Sequence, residues 1–504
     1  MRTKVPRWPN ALGAEGMVDE GGIRLAEHRP TTPMMFGTLS AKPCDRRFVA
    51  AIMGLWSATA IYTMHMIWLS WPRYVLKVDF ISFWTAASLL RKGAGANLFD
   101  PGTQQQFQSS LLRSFGMAIG PGYNPFPSLP VLALPYLPLT LLPMPMAYLI
   151  WDGASFLMFL VALGISLGWD RASGRWMAAF LAFGAVSSTL LEGQAYAPMM
   201  LILSLAVLAL RSGRPFLGGM VLGLLAVKPQ YVVLFPLVFL IKGRWRELWG
   251  MTLAVFVMGA LSVALVGPGG IVEFVNLLRQ IGSFDFGGVN PQNMINWRAL
   301  LMHLWPGIPD STGSALVLLL GGGTVLAMLP AWRGPWEPRS ARFSRQLLAT
   351  MLAAIVASPH SHFHGLVLPL VPLGTLVSEP DEGNPLGRAL RWTLFVGYAL
   401  SSVTWVLVGL RWLMAPLILA AMVLLVFQRT RSAEPRPQWP FEPLVEAVAR
   451  RPTAWPGLGR CGRCPGLAWI APSGLEGTPI WLTTQIGTIR RTPPLLGLRS
   501  ESTL

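Results

Sequence analysis

Apolar stretches long enough to cross a membrane alternate with short basic segments along most of this chain. The first apolar stretch covers residues 48–71, and others follow as far as residue 428. A helix of about 20 apolar residues spans the hydrocarbon core of a bilayer, and basic segments between such helices are typical of cytoplasmic loops. The pattern predicts an all-α polytopic membrane protein with roughly ten to thirteen membrane-embedded helices.

Three apolar intervals are too short to cross the membrane out and back. Each arm has about 11 to 16 residues, or roughly 17 to 24 Å as a helix, whereas the hydrocarbon core is about 30 Å thick. Polar turns at that depth need a watered cavity lined by protein, so we predict short re-entrant-like hairpins. The intervals and their turns are 177–210 with Glu192-Gly193-Gln194, 216–241 with Lys228-Pro229-Gln230, and 346–377 with the histidines 360, 362 and 364.

A long segment that follows the first span, residues 72–126, opens with a carboxylate and an amphipathic stretch. Asp79 precedes residues 80–90, in which aromatic and aliphatic side chains alternate with small polar ones. This composition predicts an external amphipathic helix that lies in the membrane interface. The proline-rich residues 126–145 predict a broken or re-entrant helix, and residues 267–297 predict a second external loop.

The basic residues set the predicted topology and domain limits. Arg46 and Arg47 precede the first span, so the N-terminus is expected in the cytoplasm and Asp79 outside. We predict a disordered cytoplasmic tail over residues 1–45, a transmembrane domain over 46–430, and a second disordered or weakly structured cytoplasmic tail over 431–504. The expected location is the plasma membrane, with a bacterial one favoured.

Composition agrees with this assignment and excludes other classes. The chain of 504 residues is 53% hydrophobic and 12% charged, about half the charged fraction of soluble proteins. Its net charge of +17 comes from tails and short loops, which favours positive-inside topology over nucleic-acid binding. The three cysteines lie in the tails, and the single CxxC at Cys461 and Cys464 is a weak zinc or redox signal.

On the predicted topology all the polar turns lie on the same side of the membrane as Asp79. A carboxylate can accept a proton from a hydroxyl, lysine and histidine can neutralise phosphate, and amides can bind sugar hydroxyls. The arrangement suits a lipid-phosphate substrate. The candidate residues are Asp79, Lys228, His360, His364, Gln194, Gln230, Gln292 and Asn293.

Each candidate also has a purely structural interpretation. Asp79 could cap the N-terminus of the following helix, and Lys228 could extend to the interface or pair with Glu192. The histidines could hydrogen-bond around their turn; zinc binding is less favoured because they lack a full ligand set. Gln194 and Gln230 could pair helices within the membrane.

Several short motifs resemble those of glycosyltransferase family 87, in the family's order and over about residues 48–430. They are Asp79-Phe80 with Phe83-Trp84-Thr85-Ala86-Ala87, Asn97-Leu98-Phe99-Asp100-Pro101, Tyr123-Asn124-Pro125-Phe126-Pro127, Glu192-Gly193-Gln194, Lys228-Pro229-Gln230, and Ser358-Pro359 with its histidines. Two positions depart from the family pattern: Glu192 stands where an apolar residue is usual, and His362 with Phe363 where an aromatic or acidic residue is frequent.

The resemblance implies a GT-C fold and inverting transfer of mannose, or another sugar, from a polyprenyl-phosphate donor to a lipid- or glycan-linked acceptor. It implies that Asp79 is the general base, and that Lys228 with His364 or His360 neutralises the departing phosphate. Because a monophosphate leaves, no metal or other cofactor is expected. The amides of Gln194, Gln230, Gln292 and Asn293 are expected to bind substrate.

Other classes remain open from the sequence. A transporter or flippase of a lipid-linked sugar would also use broken helices and a polar cavity, although internal repeats are not evident. An enzyme that uses lipid-diphosphate donors is a further possibility. A scaffold is the least favoured, because it gives the aligned polar turns no purpose.

Overall fold

The computed structural model describes residues 73–117, 122–169, 171–284, 294–378 and 408–427, together with single positions between 50 and 71. Helices account for most of these residues, and the described residues form no strand, only an isolated bridge between Met294 and His362. The predicted all-α membrane fold is confirmed. The predicted tails, Gln292 and Asn293 lie outside the described residues.

Fourteen α-helices are found in the described part of the chain. Three helical stretches, Met144–Leu167, Trp245–Gly282 and Asp310–Trp332, are long and apolar enough to cross a membrane. The α-helices are α1 Phe80–Arg91, α2 Pro101–Ser114, α3 Met144–Leu167, α4 Arg171–Leu181, α5 Gly184–Leu191, α6 Tyr196–Arg211, α7 Pro215–Gly223, α8 Leu234–Ile241, α9 Trp245–Gly282, α10 Trp297–Leu304, α11 Asp310–Met328, α12 Ala341–Ala357, α13 Leu370–Ser378 and α14 Met414–Phe427.

The hairpins at Glu192 and Lys228 have short arms, as predicted. Helices α5 and α6, of 8 and 16 residues, flank the Glu192 turn. Helices α7 and α8, of 9 and 8 residues, flank the Lys228 turn through short 3-10 helices. At 1.5 Å per residue the longest of these helices spans about 24 Å, which is less than the hydrocarbon thickness.

The proline-rich segment after residue 126 is broken, as predicted. It forms two 3-10 helices, Pro130–Tyr136 and Pro138–Leu141, before α3 begins. Proline has no N–H to donate and its ring clashes with a helical carbonyl one turn earlier. Repeated prolines therefore limit this segment to short helical pieces.

The prediction of an external loop over residues 267–297 is wrong for its first half. Helix α9 continues to Gly282 and bends at Gly267, whose φ of 72° and ψ of 170° are not helical. Pro268 follows directly, and proline is well accepted in the first turn of a helix. The Gly-Pro pair therefore kinks the helix and restarts it.

Helix α1 is found where a helix was predicted, but it is packed among protein side chains, and its position in the membrane interface stays a prediction. Nine of its 12 residues are buried, including the small Ala86 and Ala87. Phe83 stacks on Tyr136 with ring centroids 5.0 Å apart, and Phe80 meets the edge of Tyr148 at 5.5 Å. Protein surrounds both the aromatic and the small-residue faces of this helix.

Helices α7 and α9 approach each other through glycines. A Cβ added at Gly219 would overlap the carbonyl oxygen of Glu247, and one at Gly250 would overlap that of Phe216. A Cβ at Gly223 would lie 2.8 Å from the carbonyl oxygen of Met251. In lipid, close packing of small residues replaces hydrophobic burial as a source of helix association. The glycines therefore hold these two helices backbone to backbone.

Helix α2 begins with a side-chain cap from Asp100. The Asp100 Oδ2 accepts hydrogen bonds of 2.6 Å from both the backbone N–H and the hydroxyl of Thr103, and Pro101 occupies the first helical turn. The Thr103 hydroxyl, together with its backbone N–H, holds the pKa of the Asp100 carboxyl below its ordinary value. The Asp-Pro motif at this position thus has a local structural explanation.

Replacing Asp100 by Ala should lower the free energy of unfolding by about 1 kcal/mol, because the first turn of α2 loses its cap. The depressed pKa means that the carboxylate stabilises the protein near neutral pH and that this contribution disappears as the pH falls through the folded-state pKa. Asp100→Asn should keep the cap but lose the acid dependence. Thermal unfolding in detergent at several pH values would measure both, and an Asp100→Ala variant as stable as wild type would contradict the cap.

Candidate active site

The Asp79 carboxylate lies immediately before α1 and is held by two side-chain amides. Its Oδ1 accepts a hydrogen bond of 2.8 Å from Asn124 Nδ2, and its Oδ2 accepts one from Gln194 Nε2. The side chain does not cap α1, so the structural interpretation of Asp79 as a side-chain cap is wrong. Two amide donors from distant parts of the chain fix the orientation of this carboxylate.

The turn at Glu192, Gly193 and Gln194 also holds the backbone around Asp79. The Glu192 carbonyl accepts from the Phe80 N–H at 2.9 Å, and the Glu192 Oε2 accepts from the Asp79 N–H at 3.4 Å. Gly193 has a φ of 61°, and a Cβ there would lie 2.7 Å from Phe80 Cβ. All three residues of the turn therefore help to place Asp79.

Lys228 approaches Asp79 through a shared amide. Its Nζ donates to Gln194 Oε1 at 3.3 Å, while Gln194 Nε2 donates to Asp79. The same ammonium lies 4.4 Å from the centroid of the Tyr196 ring. The hydrogen-bond partner of Lys228 is thus Gln194, not the Glu192 considered from the sequence. The Gln194 amide therefore bridges the two charged groups: it donates to the Asp79 carboxylate and accepts from the Lys228 ammonium.

The histidine turn lies next to this group. His364 is buried, its Nδ1 lies 3.0 Å from Ser188 Oγ, and its ring stacks on Tyr196 with centroids 5.9 Å apart. The centroid of the His362 ring lies 6.5 Å from that of His364 and 4.8 Å from that of His360. In the described ranges no three His, Cys, Asp or Glu side chains are arranged to hold one metal ion.

Gln230 joins two of the turns. Its Nε2 donates to the His360 carbonyl at 3.3 Å, so its amide faces the histidine turn. The His360 Nδ1 is buried and has no hydrogen-bond partner among the described residues. Met294 bridges to His362, and the Ile295 N–H donates to the Ser361 carbonyl at 3.0 Å. The chain that follows Gln292 and Asn293 therefore contacts the histidine turn.

Three further residues belong to this group and were not selected from the sequence. Asn124 binds Asp79, and both its backbone groups are held at 2.8 Å by the amide of Gln108. Tyr196 contacts Lys228 and His364. The Arg411 guanidinium lies 5.8 Å from the Phe363 ring centroid, so it reaches the histidine turn. Two of the three could have been selected from the sequence: Asn124 lies within a motif that resembles the family's, and Arg411 is a charged residue between two apolar stretches.

Comparison with known proteins gives one match. Residues 126–359 match the model of Glycosyltransferase family 87, which confirms the resemblance found in the motifs over a shorter range than 48–430. No curated protein and no solved structure matches the chain. The matched range includes Gln194 and Lys228. The three histidines lie just after its end, and Asp79 lies well before its start.

Proposed function

We propose that this membrane glycosyltransferase, whose residues 126–359 belong to glycosyltransferase family 87, transfers mannose or another sugar from a polyprenyl-phosphate donor to a lipid- or glycan-linked acceptor. One observation carries the proposal: the Gln194 amide bridges the Asp79 carboxylate and the Lys228 ammonium. A group that accepts a hydroxyl proton and a group that binds phosphate thus lie on either side of one side chain, which suits a sugar phosphate positioned between them.

Asp79 acts as the general base in this proposal. The acceptor hydroxyl oxygen attacks the anomeric carbon of the β-linked sugar phosphate, and its proton passes to the Asp79 carboxylate. The bond between that carbon and the phosphate oxygen breaks, and the phosphate departs with the electron pair. The attack comes from the face opposite the leaving group, so the product is an α-glycoside. The donors Asn124 and Gln194 keep the carboxylate in place for the proton transfer.

Lys228 and His364 receive the departing phosphate. The Lys228 ammonium brings a positive charge to the developing anion, the form of electrostatic stabilisation that lowers such barriers most. His364 contacts Ser188 through Nδ1, which leaves Nε2 as the nitrogen that can donate to a phosphate oxygen. His360, whose Nδ1 is buried without a partner among the described residues, is the second histidine assigned to the phosphate.

The remaining parts of the assignment concern the substrates and the membrane. Gln230, Gln292 and Asn293 are assigned to sugar hydroxyls, and the prenyl chain is assigned to the broken proline-rich segment before α3. The proposal includes cytoplasmic termini and a site on the external side, which the basic loops support, and a bacterial cell membrane as the location. A GT-C architecture is part of the same proposal.

Purified protein in detergent should consume polyprenyl-phosphate-mannose and form a labelled glycoside, because transfer needs no closed compartment. The measurement is the release of polyprenyl phosphate from a radiolabelled donor, with membrane extracts supplying the acceptor and identification of the labelled product. A nucleotide-mannose donor, which carries a diphosphate, is the matched control and should give no product. Transport of an intact donor across vesicles without turnover in detergent would favour a flippase and contradict the proposal.

A further inference from the structure

Tyr196 lies between Lys228 and His364, two of the side chains assigned to the donor phosphate. The Lys228 Nζ is 4.4 Å from the ring centroid. The His364 ring stacks on the same tyrosine at 5.9 Å, with an angle of 29° between the planes. Tyr196 is 2% exposed and His364 is 9% exposed, so these contacts are formed inside the protein. One aromatic ring therefore contacts both groups.

The Tyr196 ring is itself fixed by a second tyrosine. The hydroxyl groups of Tyr196 and Tyr231 are 2.9 Å apart, and their rings meet edge to face with centroids 5.7 Å apart. The Tyr231 hydroxyl is also 3.3 Å from Ser361 Oγ, on the histidine turn. A Cβ added at Gly365 would overlap the Tyr231 hydroxyl. Tyr196 is thus tied to the Lys228 turn and the histidine turn at once.

The flexibility of lysine explains why an aromatic contact is useful for holding Lys228 in place. Lysine is a point charge at the end of a flexible four-carbon chain, so its position needs an external constraint. The negative face of an aromatic ring attracts an ammonium group without neutralising it, whereas a carboxylate partner would compete with the phosphate for the same charge. The ring thus restrains Lys228 without forming an ion pair, and the ammonium hydrogen atoms that do not bond Gln194 stay available to an anion.

We propose that Tyr196 is a positioning residue that sets the separation of Lys228 and His364 and thereby the affinity for the phosphate of the lipid donor. The inference rests on the proposed function, because it takes these two side chains as the phosphate-binding groups. The ring makes the contribution, and the hydroxyl group supports the ring. Replacing the ring should therefore weaken phosphate binding much more than removing the hydroxyl.

Two variants of Tyr196 separate these contributions. Tyr196→Leu removes the aromatic faces, and should raise the Kd for polyprenyl phosphate and the donor KM about tenfold, while the acceptor KM stays unchanged. Tyr196→Phe keeps the ring and should stay within about threefold of wild type, since only the contact with Tyr231 is lost. Calorimetric titration with short-chain polyprenyl phosphate measures binding without turnover, and initial rates give both KM values.

Phe235→Leu provides the matched control, because it removes a buried aromatic ring from α8, where it packs against Phe239. This variant should bind polyprenyl phosphate as wild type does. Wild-type binding by Tyr196→Leu, or an equal loss in Tyr196→Leu and Phe235→Leu, would overturn the positioning role alone. Failure of the wild-type protein to bind polyprenyl phosphate would overturn the donor assignment and this inference with it.

Discussion

Asp79→Asn is expected to reduce sugar transfer by about 10²- to 10⁴-fold, the contribution typical of general base catalysis, while the protein remains folded and inserted. Asparagine has nearly the same shape but cannot accept a proton from the acceptor hydroxyl. Its NH₂ group would also face one of the two amide donors that now bind the carboxylate. The measurement is the rate of product formation by purified protein at saturating donor.

Asp100→Asn is the matched control for that change. It replaces a second acid of the same segment by its amide, and asparagine caps helices about as well as aspartate does. We expect wild-type transfer from this control and an unchanged thermal midpoint for Asp79→Asn within a few degrees. Wild-type turnover by Asp79→Asn would remove Asp79 as the base.

Gly193→Ala is expected to damage both stability and activity. Alanine at the φ of 61° costs about 1–2 kcal/mol for an L residue in the left-handed region. The new Cβ would in addition lie 2.7 Å from Phe80 Cβ, so the first residue of α1 would have to move. Because Asp79 precedes Phe80, we expect transfer to fall about tenfold or more from misplacement of the base. Thermal unfolding in detergent and the initial rate of transfer measure the two effects.

Gly213→Ala separates backbone strain from the contact with Phe80. Gly213 has a φ of 72°, and a Cβ there would meet nothing within 4 Å. This variant should lose about 1–2 kcal/mol of stability from backbone strain, and its rate of sugar transfer should stay near that of wild type. Equal losses of activity in Gly213→Ala and Gly193→Ala would show that the approach of Phe80 has no special role.

The convergence of the polar turns could be predicted because it follows from helix length. Arms of 8 to 16 residues cannot carry a polar turn across the hydrocarbon, and polar groups at that depth must meet one another or water. The sequence therefore pointed to Gln194 and Lys228 as neighbours, and their hydrogen bond at 3.3 Å is found. Helix length and the topology predicted from the basic loops together indicated that these turns lie near one another.

The partners within the site could not be predicted, because they depend on contacts between distant segments. Asn124 meets Asp79 only because α2 holds its backbone through Gln108. Tyr196 reads from the sequence as one aromatic residue in an apolar helix, and its contacts with Lys228 and His364 come from two other turns.

The packing of α1 and the course of the chain after Gly267 were both ambiguous in the sequence. The mixture of aromatic and small residues in α1 is compatible with an interface helix, but also with burial on all sides, which tertiary packing decides. Gly267 and Pro268 usually end a helix, yet the apolar residues that follow allow a new one to start in line. Neither outcome is encoded in a short window of sequence.

The glycines between α7 and α9 also bear on the chemistry. Lys228 follows Gly223 by little more than one helical turn, so the distance between the two backbones determines where the ammonium group sits. A side chain larger than hydrogen at Gly219 or Gly250 would push α7 outward and carry the lysine with it. The location of the Lys228 ammonium thus depends on how closely two helices pack at glycines that are themselves remote in sequence from Asp79.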